Sequence, residues 1–200
     1  MPDSPPERAT TADDLAEWAD GLAERLGASV ISTEFATVRI AVARDRWVDT
    51  LRAARDDEGL PFFSWLSAID WAKETAVGEG PAEPEDLVER YEVLCRLSSV
   101  RDASGAHFVA EIPKDDAWID SIVPVWGGAE WHEREAHEMF GIDFRGNPNL
   151  THLYLPDAFE GHPLRKSYPL LSREVKPWPG TVDVEDMPAV EGPSTENPEA

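Results

Sequence analysis

The chain has 200 residues, of which 40 are Asp or Glu and 18 are Lys or Arg, for a formal net charge of −22. Such an excess repels nucleic-acid phosphates and anionic lipid headgroups wherever no local basic patch offsets it. Cys95 is the single cysteine, which excludes an internal disulfide, a thiolate zinc knot and an iron–sulfur cluster held by this chain alone.

No stretch approaches the roughly 18–20 uncharged apolar residues that cross a bilayer. The start, Met1-Pro-Asp-Ser-Pro-Pro-Glu7, lacks the basic beginning and apolar core of a signal peptide. The expected location is the cytosol or a cytosolic membrane face. Apolar residues make up 42% of the chain, with eight Trp and seven Phe, enough for a packed core of ordinary domain size.

The charge is unevenly spread. Residues 1–119 carry 25 acids and 12 bases, residues 120–176 nine acids and six bases, and residues 177–200 six acids and no base. The net values are therefore −13, −3 and −6, which sum to −22. These three segments are the expected domain organisation: an N-terminal α+β domain, a nearly neutral helix and extended partner-binding segment, and an acidic Pro-rich disordered tail.

In chain order, residues 10–27 read as a helix capped by Thr11 or Asp13, with Leu15, Trp18, Leu22 and Leu26 on one face and Gly27 as the stop. Residues 30–35 and 37–43 read as two short strands. Residues 45–59 form a second helical pattern through Trp47, Val48, Leu51 and Ala54. Residues 62–71 are apolar and ambiguous, best read as a strand followed by a turn. The stretch Gly78-Glu-Gly-Pro-Ala-Glu-Pro84 is a loop tip or insertion. Residues 89–101 alternate through Tyr91, Val93, Cys95 and Leu97 and pair with 107–112 as a hairpin. Residues 115–125 read as a short helix ended by Pro124, and 130–140 as a better one after Gly127-Gly128. This order predicts an α+β fold in which a sandwich with helices on one face of a small sheet is followed by a short helix and an extended Pro-rich C-terminal strap.

Beyond residue 140, frequent Pro and Gly forbid long helices and central strands. The segment nevertheless carries Phe144, Leu150, Leu153, Tyr154, Leu155, Phe159, Leu164, Tyr168, Leu170 and Leu171. That much apolar material is ordered by packing, either on its own domain or on a partner.

The helix Trp131-His-Glu-Arg-Glu-Ala-His-Glu-Met139 invites a metal reading, but His132 and His137 are five apart and point about 140° apart on a helix. Glu133 and His137 share a face and would need a third ligand, which defines a minor alternative, a metal-dependent hydrolase. Glu130–Arg134 and Arg134–Glu138 are i,i+4 pairs, expected as a stabilising charge ladder. No phosphate loop, G-x-G-x-x-G or nucleophile elbow is present. Cys95 reads as a small core residue, and Asp70 with Glu74 as an undistinguished pair of carboxylates. The basic cluster His162, Arg165 and Lys166 is either a solvated turn or a charge contact to an acidic partner or anion.

Two runs together resemble a known family. They are Ala129-Glu-Trp-His-Glu-Arg-Glu-Ala-His-Glu-Met-Phe-Gly-Ile-Asp-Phe144 and Gly161-His-Pro-Leu-Arg-Lys-Ser-Tyr-Pro169, joined by Gly146-Asn-Pro-Asn-Leu150 and Leu153-Tyr-Leu-Pro-Asp157. The pattern resembles the C subunit of respiratory NADH–quinone oxidoreductase, complex I. It departs from the family at Ser167, usually Asp; at Gly146-Asn-Pro-Asn-Leu150, usually G-H-P-D-L; and at His137, commonly a larger aromatic.

The resemblance implies a structural subunit of the hydrophilic arm that supports electron transfer from NADH to quinone and is not itself catalytic. It implies no cofactor or metal in this chain; NADH, FMN, iron–sulfur clusters and quinone belong to the complex. It implies the D and B subunits as direct partners, no nucleic acid, and only indirect contact with the membrane, at the cytoplasmic face. Trp131, Glu133, Arg134, Glu135, Phe140, Gly141, Gly161, His162, Pro163, Leu164, Arg165 and Lys166 are the implied interface and structural residues. A variant of this reading keeps the scaffold role in a related complex fed by reduced deazaflavin, ferredoxin or hydrogen.

Overall fold

The computed structural model describes residues 11–76, 85–102 and 104–169. The Gly78–Pro84 stretch and the 177–200 tail lie outside these residues. Helix α1, Ala12–Leu26, begins at Thr11, whose Oγ1 accepts from the Asp14 amide while the Asp14 carboxylate accepts from the Thr11 amide. Such a reciprocal cap stabilises a helix by about 1 kcal/mol. Gly27, at φ +63°, ends it in the left-handed conformation that glycine adopts without a Cβ clash.

Strand β1, Ser29–Ser32, leads through a tight turn at Glu34–Ala36 to β2, Val38–Ala41, then α2, Trp47–Asp56. The ambiguous stretch resolves as one strand, β3, Phe62–Trp71, followed by β4, Arg90–Ser98, and β5, Gly105–Ile112. The five strands lie in the order β1-β2-β5-β4-β3. All neighbours are antiparallel except β2 and β5, which are parallel. The hairpin expected between the alternating stretches is present, with Ser98 opposite Gly105.

The expected helix at 115–125 is not formed. Residues Lys114–Asp116 make a single turn, and Trp118–Asp120 is a strand, β6, paired in parallel with β7, Asp143–Arg145. Ile119 and Phe144 are both fully buried in this pairing. Residues far along the chain supply a ladder that local periodicity cannot reveal.

One face of the five-stranded sheet builds the core. Val38, Ile40, Leu66, Val93, Cys95, Leu97, Phe108 and Ile112 pack with Leu22 and Leu26 of α1, Trp47 and Leu51 of α2, and Ala136 and Phe140 of α3, Ala129–Phe140. Each fully buried Leu, Ile or Phe contributes about 1.5–3 kcal/mol. The helices thus lie on one sheet face, as the order of elements predicts, and Cys95 is a wholly buried core residue whose thiol pKa burial pushes up.

Candidate functional site

Helix α3 presents three faces. Ala129, Glu133, Ala136 and Phe140 recur at helical spacing and are buried. Phe140 meets Tyr91 of β4 with ring centroids 6.5 Å apart, and His132 meets Phe63 of β3 edge-on at 5.2 Å. Arg134 and Glu138, one turn apart, are buried on the neighbouring face. Trp131 lies outside, 59% exposed.

Glu133 is a fully buried carboxylate. It accepts hydrogen bonds from Ser121 Oγ, the Ile122 amide and Asn147 Nδ2, each at 2.7 Å. Burial raises its pKa, and the three donors work against that rise. One side chain thereby ties α3 to the turn after β6 and to the turn after β7. Asn147 Oδ1 accepts from the Asn149 amide, and Asn149 Nδ2 donates to Glu130.

Arg134 and Glu138 do not form the expected ladder. Arg134 donates to the carbonyls of Thr151 and His152 at 3.0 and 2.7 Å. Glu138 accepts from the successive amides of Leu153, Tyr154 and Leu155 at 3.2, 3.0 and 2.8 Å. Burial pushes the Glu138 pKa up, but the three amides outweigh it and the net shift is downward. Two carbonyls and three amides of a segment that makes no sheet ladder are thus satisfied by one helix face.

The Gly161–Lys166 run closes the end of α3, where four carbonyls lack helical partners. Gly141 donates its amide to the His137 carbonyl at 2.7 Å, and His162 Nδ1 donates to that of Glu138 at 2.8 Å. The Leu164 amide donates to Met139 at 3.1 Å, and Arg165 Nε to Phe140 at 2.6 Å. The Arg165 guanidinium also lies 5.8 Å from the Tyr91 ring centre. A cation at this helix terminus is favourable. Burial lowers the His162 pKa, the carbonyl bond opposing it, so the ring stays neutral at neutral pH. Lys166 is held by its backbone: its amide donates to Asp70 Oδ2 and its carbonyl accepts from Ala76, both at 2.7 Å. Lys114 Nζ lies 2.6 Å from the other Asp70 oxygen.

Glu133, Arg134, Phe140, Gly141, His162, Leu164, Arg165 and Lys166 therefore converge on one assembly. Gly161, at φ +101°, sits where a Cβ would lie 2.8 Å from the Tyr168 ring; Pro163 is half-buried beside it. Glu135 is half-buried on the helix and joins none of these bonds among the described residues. The basic cluster turns His162 and the Arg165 guanidinium inward to carbonyls. Glu138, Ser121, Asn147 and Asp70 are further members of the assembly; sequence patterns place Glu138 in a helix ladder and do not single out the other three, because their partners are backbone groups or lie far along the chain.

The minor metal reading fares poorly on geometry. Both Glu133 oxygens are taken by donors, and His137 Nδ1 donates to the Ile142 carbonyl at 2.8 Å. Among the described residues no group of three His, Cys, Asp or Glu side chains is placed to hold a metal ion, and no helix is long and apolar enough to cross a membrane.

Residues 40–174 match the family model described as "Respiratory-chain NADH dehydrogenase, 30 Kd subunit". The chain is 34% identical to the C subunit of NADH-quinone oxidoreductase from Citrifermentans bemidjiense over 72% of its own length and 81% of that protein. It is 33% identical to the C/D subunit of NADH-quinone oxidoreductase from Methylococcus capsulatus over 70% of its length and 23% of that protein. Its fold matches a trypsin-resistant fragment of Nqo5 with a TM-score of 0.53 at 21% identity, covering 68% of this chain and 99% of that one. It also matches a chain of an archaeal membrane-bound sulfane sulfur reductase at 0.56 and 23% identity, over 72% and 77% of the two chains.

Proposed function

Because this chain belongs to the family of the respiratory-chain NADH dehydrogenase 30 kDa subunit, we propose that it is a non-catalytic structural subunit of the peripheral arm of a proton-translocating NADH:quinone oxidoreductase. It carries no cofactor of its own and docks on the D and B subunits at the cytoplasmic face of the membrane, with residues 120–176 as the partner-binding segment.

One observation carries this reading. The strap from Asn147 to Pro169 is pinned to α3 largely through its backbone, while Trp131, Tyr154 and Leu164 stay 59%, 63% and 52% exposed. Large apolar side chains held outward on an ordered segment mark a protein-contact surface. The Methylococcus relative, a single chain whose name joins C and D, supports placing this chain beside the D subunit.

A second reading keeps the scaffold role with another electron donor. The shared fold with a chain of the sulfane sulfur reductase complex supports it; the Citrifermentans relative, at higher identity, favours the first reading. Affinity isolation of the chain from its native membranes separates them. Recovery of D- and B-type subunits together with an NADH-oxidising module is expected. Recovery of a different input module supports the second reading, and recovery of the chain alone contradicts both.

A further inference from the structure

The five-stranded sheet has a second face, and no helix among the described residues covers it. Strand pairing sets Trp65, Arg96, His107 and Arg39 side by side in one row across β3, β4, β5 and β2. The next row is Ser67, Leu94, Val109 and Ala41, and beyond it lie Ile69, Glu92 and Glu111. Trp65 and His107 tilt against each other at 5.3 Å between ring centres, spanning β4.

Among the described residues, the charges on this face leave one cation over. Arg39 pairs with Glu92, which also accepts from Trp71 Nε1. Arg90 pairs with Glu111 at 2.9 Å. Arg96, half-buried between the two rings' strands, has no carboxylate or hydrogen-bond partner among the described residues, whereas the other buried and half-buried arginines each bind a carboxylate or a carbonyl. Burial, with Arg96 and Arg39 adding to it, lowers the His107 pKa and keeps that ring uncharged at neutral pH. An open groove of about 700 Å³ continues the surface over Ala41, Val109 and Trp71 towards Ile31 and Arg44.

In a chain of net −22, no carboxylate of the described residues is paired with Arg96, while Arg39 and Arg90 on the same face are paired. An arginine with no carboxylate partner among the described residues, flanked by the Trp65 and His107 rings and beside the row of Leu94, Val109 and Ala41, is suited to a carboxylate supplied from outside. We propose that this helix-free sheet face is a second docking surface, separate from the strap, and that it receives an acidic segment of a neighbouring subunit with Arg96 as the carboxylate anchor. The Arg96 guanidinium attracts a carboxylate of that segment, and Trp65, Ile69 and Trp71 bury its apolar side chains. This rests on the chain working inside a multisubunit complex but uses none of the strap contacts.

The test is photo-cross-linking in the assembled membrane complex, with p-benzoylphenylalanine at Ser67, and at Tyr154 as the strap control. The expected result is a Ser67 cross-link to another polypeptide within a peptide richer in acidic than basic residues. Arg96→Glu should lower it at least tenfold, Arg96→Gln severalfold, and Arg96→Lys little, with the Tyr154 cross-link retained throughout. No inter-polypeptide product at Ser67, a product within this same chain or with a basic peptide, or indifference to Arg96→Glu overturns the proposal. Loss of both cross-links in Arg96→Gln assigns Arg96 a folding role and overturns it too. Failure at Tyr154 alone speaks against the strap reading and leaves the Ser67 result to stand by itself.

Discussion

Arg165 Nε donates to the carbonyl of Phe140, the last residue of α3, at 2.6 Å. The arginine comes from 25 residues beyond the helix end and completes a cap begun by His162 and Leu164. Gly141, at φ +73°, makes room for it: a Cβ there would lie 2.1 Å from Arg165 Nη2 and 2.6 Å from His162 Nε2. Gly141→Ala is expected to destabilise the chain by about 2–4 kcal/mol, from left-handed backbone strain plus the clash. Arg165→Ala is expected to cost about 1.5–3 kcal/mol. Thermal denaturation checks both, and limited proteolysis should show faster cleavage in residues 150–168.

Asp70 anchors the far end of the strap through the Lys166 amide and sits 2.6 Å from Lys114 Nζ. Asp70→Ala removes a buried acceptor and leaves the Lys166 amide and the half-buried Lys114 ammonium without it. A loss of about 2–4 kcal/mol is expected in urea denaturation. A change under about 0.5 kcal/mol, the level of an ordinary surface substitution, would refute the anchoring role.

Two carboxylates of α3 titrate with opposite sign. The Glu133 pKa is raised above the usual 4.5, so the folded chain holds that proton more tightly than the unfolded one. The Glu133 contribution to stability therefore declines as pH rises from about 4.5 through the raised value, then levels off. The Glu138 pKa is lowered, so its contribution is fully present above about 4.5 and is lost as pH falls through the depressed value. Stability measured from about pH 3 to 8 should show Glu133→Gln removing the first slope and Glu138→Gln the second. Glu133→Gln should also cost about 1–3 kcal/mol near neutral pH, because an amide cannot accept from all three donors.

Much of this fold is legible because its signals are local. The Thr11 cap and Gly27 stop bound α1, and alternation through Tyr91, Val93, Cys95 and Leu97 marks β4. The strand at Trp118–Asp120 escapes a local reading because its partner, Asp143–Arg145, lies beyond α3. Arg134 and Glu138 look like a ladder because helical spacing makes i,i+4 charges neighbours, whereas their bonds go to backbone groups 15–18 residues along the chain. The Gly161–Lys166 run stands out by its charge; its use as a helix cap depends on a fold-back that spacing does not encode.

Phe35 and Ala36 both adopt left-handed backbone conformations, at φ +54° and +55°, in the turn between β1 and β2, and Phe35 is 95% exposed. Such conformations cost non-glycine residues about 1–2 kcal/mol each. Ala36→Gly is expected to raise stability by about 0.5–1 kcal/mol, read as a higher urea midpoint. A lower midpoint would show that the Ala36 methyl makes contacts outweighing the strain.

Helix α3, in the proposed role, holds an ordered strap so that the strap's outer side chains can dock on neighbouring subunits. Tyr154→Ser combined with Leu164→Ser isolates that docking, since both side chains are exposed while their backbone amides carry the internal bonds. The measurement is the amount of assembled membrane complex in cells carrying only the double variant, set beside the melting temperature of the purified chain. The expected result is a melting point within about 2 °C of the unaltered chain and roughly a fivefold or greater loss of assembled complex, as for removal of interface anchors. Wild-type assembly with an unchanged melting point would contradict the docking role.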